Sequence, residues 1–246
     1  MLCYAMLRAR CALISHVRRL LAREFALYMS ATPELVRPLA GLDTSALTGY
    51  LATCETPFEP SQLYSPAEDE KKVDLSLRLS EFRALTDAEL FKIAEDIIAQ
   101  VAARDTSCDW SLVHNDVTHI RYHRGGFFKR HADFLSLTSN LVQEYTLIIC
   151  VTPPDLAAET KGGETIVHSG AGATAQGYGE TTVPGSALLL RKDVEHEGAL
   201  VEGGQKEIVS LNVWAVRRPA KQVLLVSFPA ETEAAPAASA ADGDGA

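Results

Sequence analysis

Residues 122–133 read Tyr122-His123-Arg124-Gly125-Gly126-Phe127-Phe128-Lys129-Arg130-His131-Ala132-Asp133. On an extended strand, residues two apart point to the same face. His131 and Asp133 therefore offer an imidazole and a carboxylate to one metal ion. The triplet alone decides nothing, because His114-Asn115-Asp116 has the same form. The surroundings separate the two. Tyr122 precedes His131 by nine residues, and Gly162-Gly163-Glu164-Thr165 opens an apolar run downstream. Pro184-Gly185-Ser186-Ala187-Leu188 leads into another. His196 follows, then Lys206 ten residues later and Trp214 eight after that.

Working outward, the segment after Val113 breaks into short β-type runs separated by Gly and Pro turns. The runs are 117–123, 145–151, 164–168, 187–191, 206–215 and 221–228. Many short strands with such turns predict a sandwich or barrel. Upstream, Thr86-Asp87-Ala88-Glu89 reads as a capping box. Leu90, Ile93, Ala94, Ile97, Ile98 and Val101 then fall at helical spacing, which predicts an amphipathic helix over 87–104. Val73, Leu75, Leu77 and Leu79 alternate with polar residues and predict a half-buried strand.

The ordered set over residues 119–216 resembles the catalytic core of the iron(II)- and 2-oxoglutarate-dependent dioxygenases, in particular the prolyl 4-hydroxylase-like branch. The set is Tyr122, His131/Asp133, the Gly162-Gly163 turn with Thr165, Pro184-Gly185 with Ala187-Leu188, His196, Lys206 and Trp214. The resemblance implies a mainly β (α+β) fold. Its core is a double-stranded β-helix, or jelly roll, with supporting N-terminal helices, and the 87–104 helix packs on the outer face of the larger sheet. Outside the dioxygenase core over 113–228, which the resemblance covers in part, residues 1–112 read as a helical and loop support region, and 229–246, rich in Ala, Pro, Glu, Asp and Gly, read by composition as a disordered tail. The implied reaction hydroxylates a C–H bond of a prime substrate, most simply a prolyl or other residue of a peptide or protein, or a small molecule. 2-Oxoglutarate and dioxygen are cosubstrates, and succinate and carbon dioxide are coproducts. His131, Asp133 and His196 would hold Fe(II). Lys206 and Tyr122 would hold 2-oxoglutarate. Ascorbate is an optional accessory of such enzymes.

The residues support this chemistry on their own terms. Two neutral imidazoles and one carboxylate form the facial triad typical of non-haem iron oxygenases. That triad leaves room for a chelating 2-oxo acid and for dioxygen. A buried far carboxylate needs a cationic partner, and Lys206 is the natural one. In the 206–215 run, Lys206, Ser210, Asn212 and Trp214 share one face with Ile208, while Val209, Leu211 and Val213 share the other. One side thus suits a site and the other suits packing. His168 also ends a strand and competes as distal ligand, but no Lys or Arg follows it at the right distance. His119 and His123 lie on the opposite face from Tyr122 and read as structural. Thr165 and Trp214 read as packing residues or as pocket lining. Cys150 reads as a buried small hydrophobe.

The whole chain sets outer limits. It has 246 residues, 47% hydrophobic and 22% charged, with a net charge of −9. An acidic chain repels phosphate backbones. With no Arg-x5-Arg pair after His196, a nucleic-acid partner is not expected. Its five cysteines show no CxxC spacing, which points to a reducing compartment and favours the cytoplasm. No apolar run is long enough for a membrane span. Residues 1–30 carry five arginines against one acid. They read either as a mitochondrial transit segment or as a basic amphipathic helix. Specificity is expected in the loops 134–144 and 168–182. Within the second, Gly-rich Ser169–Glu180 reads as a lid or as a plain hairpin connection. Two other functional readings stay open at this stage: a non-catalytic jelly-roll binding or scaffold module, and a zinc-dependent hydrolase using the same His/Asp/His ligands.

Overall fold

The computed structural model describes residues 36–65, 70–133, 142–168 and 175–218, with the side chains of 64–71 and 114–116 left aside. Residues 1–30, the 134–141 and 169–174 loop segments, the 221–228 strand and the tail lie outside the described residues. So do the side chains of the decoy triplet at 114–116.

In chain order the elements begin with strand β1 (Val36–Leu39), helix α1 (Ser45–Thr53), β2 (Glu59–Pro60), β3 (Leu63–Ser65), β4 (Glu70–Lys72) and β5 (Arg78–Leu79). Next come β6 (Glu81–Leu85), α2 (Ala88–Arg104), β7 (Cys108–His123), β8 (Phe127–His131), β9 (Val142–Cys150) and α3 (Pro154–Glu159). The chain continues with β10 (Lys161–Gly162), β11 (Thr165–His168), β12 (Ala175–Tyr178), β13 (Ala187–Arg191), β14 (Glu195–Gly198), β15 (Val201–Gly203) and β16 (Gln205–Arg217).

Two antiparallel sheets face one another. The larger runs β1-β13-β9-β16-β7-β6-β2 and the smaller runs β12-β11-β14-β8-β5. This is the expected jelly roll. Strand alternation sorts its apolar residues into two layers. Leu147, Ile149, Leu189, Val209, Leu211 and Val213 point outward and pack with Leu47 and Leu51 of α1 and with Leu90, Ala94, Ile97, Ile98 and Val101 of α2. Ile148, Leu188, Leu190 and Ile208, one residue out of phase, point inward to Val167 and Val201 of the smaller-sheet side. Strand β13 reads as an unbroken apolar run because both of its faces are covered. Each such buried leucine contributes about 2 kcal/mol.

Helix α2 lies where the periodicity puts it, packed outside the larger sheet. Its cap differs by one residue. Asp87, not Thr86, is the N-cap, and its carboxylate accepts the Glu89 amide at 2.7 Å. A carboxylate at that position also favours the positive end of the helix dipole.

The strand expected over 73–79 does not form. Asp74 accepts the amide and hydroxyl of Ser76 through its side chain, and the Leu77 and Arg78 amides through its carbonyl. This turn chemistry overrides the period-two pattern. Leu75, Leu77 and Leu79 are left exposed, and only Arg78–Leu79 pairs, with β8. The strand that does complete the larger sheet is β6, which pairs with β7 from Glu81 to Leu85. Pro153-Pro154 starts the short α3 instead of a bare turn, with proline in the first helical turn. Strand β7 runs straight through positions 112 and 113. Segments before it, β1 and β6, pair directly with core strands.

Candidate functional site

The inner faces of the two sheets enclose a cavity of about 320 Å³. His131 closes β8, Asp133 follows two residues later, and His196 comes from β14. His131 and His196 are cross-strand partners in the smaller sheet. That pairing brings together residues 65 apart in sequence. Their ligand-type atoms and one Asp133 carboxylate oxygen lie within 4.8 Å of one another. Asp133 Oδ1 is 3.4 Å from His131 Nε2 and 3.7 Å from His196 Nε2.

Hydrogen bonds behind the triad set its chemistry. Nδ1 of His131 faces the Lys129 carbonyl at 2.8 Å, and Nδ1 of His196 faces the Val194 carbonyl at 3.0 Å. A carbonyl can only accept, so each Nδ1 carries the proton and each Nε2 presents its lone pair to the centre. Thr146 on β9 donates its hydroxyl to Asp133 Oδ2, which leaves Oδ1 turned toward the histidines. The Phe128 ring stacks on His131 at 3.5 Å between centroids. Burial pushes the Asp133 carboxyl up, but the two imidazoles beside it and the Thr146 hydroxyl together hold it well below the ordinary range. Burial pushes the His196 imidazole down. Both shifts favour the forms that bind a cation, a carboxylate and a neutral imidazole. The donor set therefore fits a divalent transition metal.

Lys206 lines the same cavity, on the inner face of β16 beside its cross-strand partner Tyr122. It is 3% exposed. Its ammonium donates to the Gly163 carbonyl and, at 3.4 Å, to Thr181 Oγ1. Among the described residues no carboxylate lies within ion-pair distance of it. Burial pushes its pKa down to about 8, opposed by weaker attractions from Cys150 and Glu164. A buried cation without an anion is costly unless a ligand supplies one.

Gly163 makes this geometry accessible. Its φ is +80°, and a Cβ there would lie 3.3 Å from the Lys206 side chain. Tyr122 is buried and lines the cavity, with the Lys206 ammonium 5.6 Å from its ring centroid.

Thr165 lines the cavity, whereas Trp214 is exposed and does not. His168 is outside the triad, 3.6 Å from Glu197 Oε1. His119 and His123 lie on the opposite face of β7 from Tyr122, bonded to Glu207 and Glu81 respectively. Cys150 is fully buried. The described end of the Gly-rich segment, β12, is one arm of a hairpin with β11.

Three site residues escaped the sequence reading. Thr146 and Thr181 are single hydroxyls in otherwise ordinary segments, and nothing local marks them. Arg78 was assigned to the polar side of a strand that does not form. In the structure it lines the cavity, with its guanidinium carbon 4.4 Å over the Phe128 ring.

No protein-family model matches the chain. A stretch of 109 residues, 44% of the chain, is 30% identical to an uncharacterized fowlpox virus protein. The match spans 23% of that relative's length. Among solved structures, the fold is similar to a prolyl hydroxylase from Trichoplax adhaerens in complex with a hypoxia-inducible-factor peptide fragment. The two are 11% identical with a TM-score of 0.52, covering 82% of this chain and 92% of that one. A prolyl 4-hydroxylase from Pseudomonas putida aligns at 15% identity and TM-score 0.49, covering 79% of this chain and 99% of the other. At such identities the likeness is one of fold.

Proposed function

With the jelly-roll fold of the prolyl-hydroxylase-like iron(II)/2-oxoglutarate oxygenases as premise, we propose that this chain is a 2-oxoglutarate-dependent dioxygenase. Its prime substrate would be hydroxylated at a C–H bond, a prolyl or other residue of a peptide being the leading candidate. One observation carries the reading: a single cavity is lined both by a His/Asp/His cluster and by a buried lysine with no anion beside it among the described residues.

His131, Asp133 and His196 would hold Fe(II), presenting two Nε2 lone pairs and one carboxylate oxygen from one side. The bound iron with 2-oxoglutarate supplies the oxygen activation that no side chain can perform. Lys206 would take the far carboxylate of 2-oxoglutarate, a charge-assisted bond formed away from water. Thr165 and Thr181 offer hydroxyls beside it. Tyr122 would fill the space between and orient the cosubstrate. Ile120, Ile148 and Ile208 line the cavity with hydrocarbon and help keep water out. No protein acid or base is placed at the oxidised carbon, and the hydroxylation requires none. A zinc hydrolase would have no use for a buried ammonium in the same cavity.

The test is anaerobic addition of Fe(II) and 2-oxoglutarate to the purified chain. The expected result is the visible charge-transfer absorption of a chelated 2-oxo acid, weakened by His131→Ala and by Lys206→Ala. Succinate release with a proline-containing peptide panel would then identify the prime substrate, and its dependence on ascorbate would show whether that reductant takes part. Correctly folded protein that gives no band would overturn the assignment.

A further inference from the structure

Arg78 sits at the same cavity, held in place by contacts that leave most of its donors unused. Its Nε donates to Ser80 Oγ at 2.8 Å, and Ser80 in turn donates to Ser61. Its guanidinium carbon lies 4.4 Å from the centroid of the Phe128 ring, and that same ring stacks on His131. Arg78 and the His131 imidazole thus contact one and the same ring, and both line the cavity. Stacking of this kind orients a guanidinium without neutralising it. Among the described residues no carboxylate lies within ion-pair distance of Arg78. Among the described residues, the only carboxylate lining the cavity is Asp133, which belongs to the triad.

Charge balance gives this a direction. A divalent ion with Asp133, and a dianionic 2-oxo diacid with Lys206, bring the cavity to neutrality without Arg78. The guanidinium is then the one uncompensated charge, and its two Nη groups form a fork suited to a carboxylate. On the strength of the dioxygenase reading above, we infer that Arg78 recognises a carboxylate of the prime substrate, next to the carbon that is oxidised. That carboxylate belongs either to a free amino acid or to a peptide, as an acidic side chain.

Binding should be read apart from turnover, on the full chain loaded with Mn(II) and 2-oxoglutarate. The readout is paramagnetic broadening of probe protons, which also reports closeness to the metal. Two probe pairs differ only in charge: L-proline against L-prolinamide, and acetylated proline-containing tripeptide amides ending in aspartate against asparagine. A charged hydrogen bond in a half-enclosed site should favour the carboxylate member by about tenfold or more. The pair that shows the preference identifies the source of the carboxylate. Arg78→Gln should abolish the preference, and Arg78→Lys should keep part of it. Arg78→Gln should still form the Fe(II)/2-oxoglutarate absorption band, since it removes neither triad nor Lys206. Equal broadening within both pairs, broadening by no probe, or a preference that survives Arg78→Gln overturns the inference while leaving the dioxygenase reading intact. Absence of the absorption band in the unmodified chain overturns that reading itself.

Discussion

Lys206 and Glu207 are neighbours in sequence, both are buried, and they point to opposite faces of β16. Glu207 faces the outer layer and is fully partnered. It accepts from His119 at 2.8 Å, Arg121 at 3.1 Å and Gln205 at 2.6 Å. Behind it, Arg83 donates Nε to His119 Nδ1 and its remaining groups to the carbonyls of Leu51, Cys54 and Thr56. Because arginine can only donate, His119 carries its proton on Nε2, toward Glu207. Phe58 lies under both arginines, 4.7 Å from Arg83 and 3.8 Å from Arg121. The cluster closes on itself and ties the 54–58 segment to the back of the sheet. Lys206 has two neutral acceptors and no anion. The contrast separates a buried charge braced by partners from one with no counter-charge among the described residues.

The sharpest way to break this contrast is Lys206→Met. Removing one member of a buried charge pair costs about 2–5 kcal/mol, so 2-oxoglutarate affinity should fall by about a hundredfold or more. Titration of the charge-transfer band would measure it. The ligand-free variant should be more stable than the parent, because a desolvated cation has gone. The depression of its pKa to about 8 sets that gain at up to about 3 kcal/mol, less the two hydrogen bonds lost. A variant that binds 2-oxoglutarate normally would show Lys206 to be structural.

Glu207→Ala should do the reverse. It leaves buried His119 and half-buried Arg121 beside no anion, for a loss of about 3 kcal/mol in urea unfolding. The cosubstrate band of the folded fraction should be retained. An unchanged unfolding midpoint would mean that the outer cluster is not a brace.

Lys206 and the outer cluster also set the pH dependence of the ligand-free chain, in two separate windows. Lys206 has a folded pKa of about 8 against an ordinary 10.5. Between those values the unfolded chain binds more protons, so stability should rise with pH over that window, by up to about 3 kcal/mol. 2-Oxoglutarate affinity should fall over the same range as the ammonium deprotonates. On the acid side, burial holds His119 below its ordinary 6.5. The unfolded chain takes that proton first, and stability should fall as pH drops below 6.5. Denaturant midpoints from pH 5 to pH 10 would test both arms.

How much of this was legible in the sequence depends on how each feature is encoded. Core strands such as 187–191 and helix α2 follow from periodicity, because burial on one or two faces leaves a direct imprint on residue order. The triad and Lys206 were readable because they sit in ordered spacings within one segment of chain. The outer cluster was not, since Arg83, His119 and Glu207 meet only after β6, β7 and β16 pair. The error over 73–79 has a local cause. Hydrophobic alternation there competes with an Asp74–Ser76 turn, and without a partner strand on each side the turn prevails. That error also hid Arg78, whose position depends on the short pairing of β5 with β8.

The smallest effect tests how far a supporting hydroxyl shapes the site. Thr146 belongs to neither the His/Asp/His cluster nor the Lys206 surroundings, yet its hydroxyl bonds Asp133 Oδ2 and leaves Oδ1 toward the histidines. Thr146→Val keeps the volume and strand propensity of the residue and removes only that bond. Partners that orient a metal ligand are worth about 10- to 100-fold in metal affinity. Because Asp133 retains its contacts with both histidines, the expected loss lies near tenfold. It should appear as weaker Fe(II) binding at saturating 2-oxoglutarate, with the unfolding midpoint nearly unchanged. A much larger loss would mean that Oδ2, not Oδ1, faces the metal, so that the hydroxyl bond marks the ligand oxygen itself. No loss at all would mean that the two histidines alone fix the carboxylate.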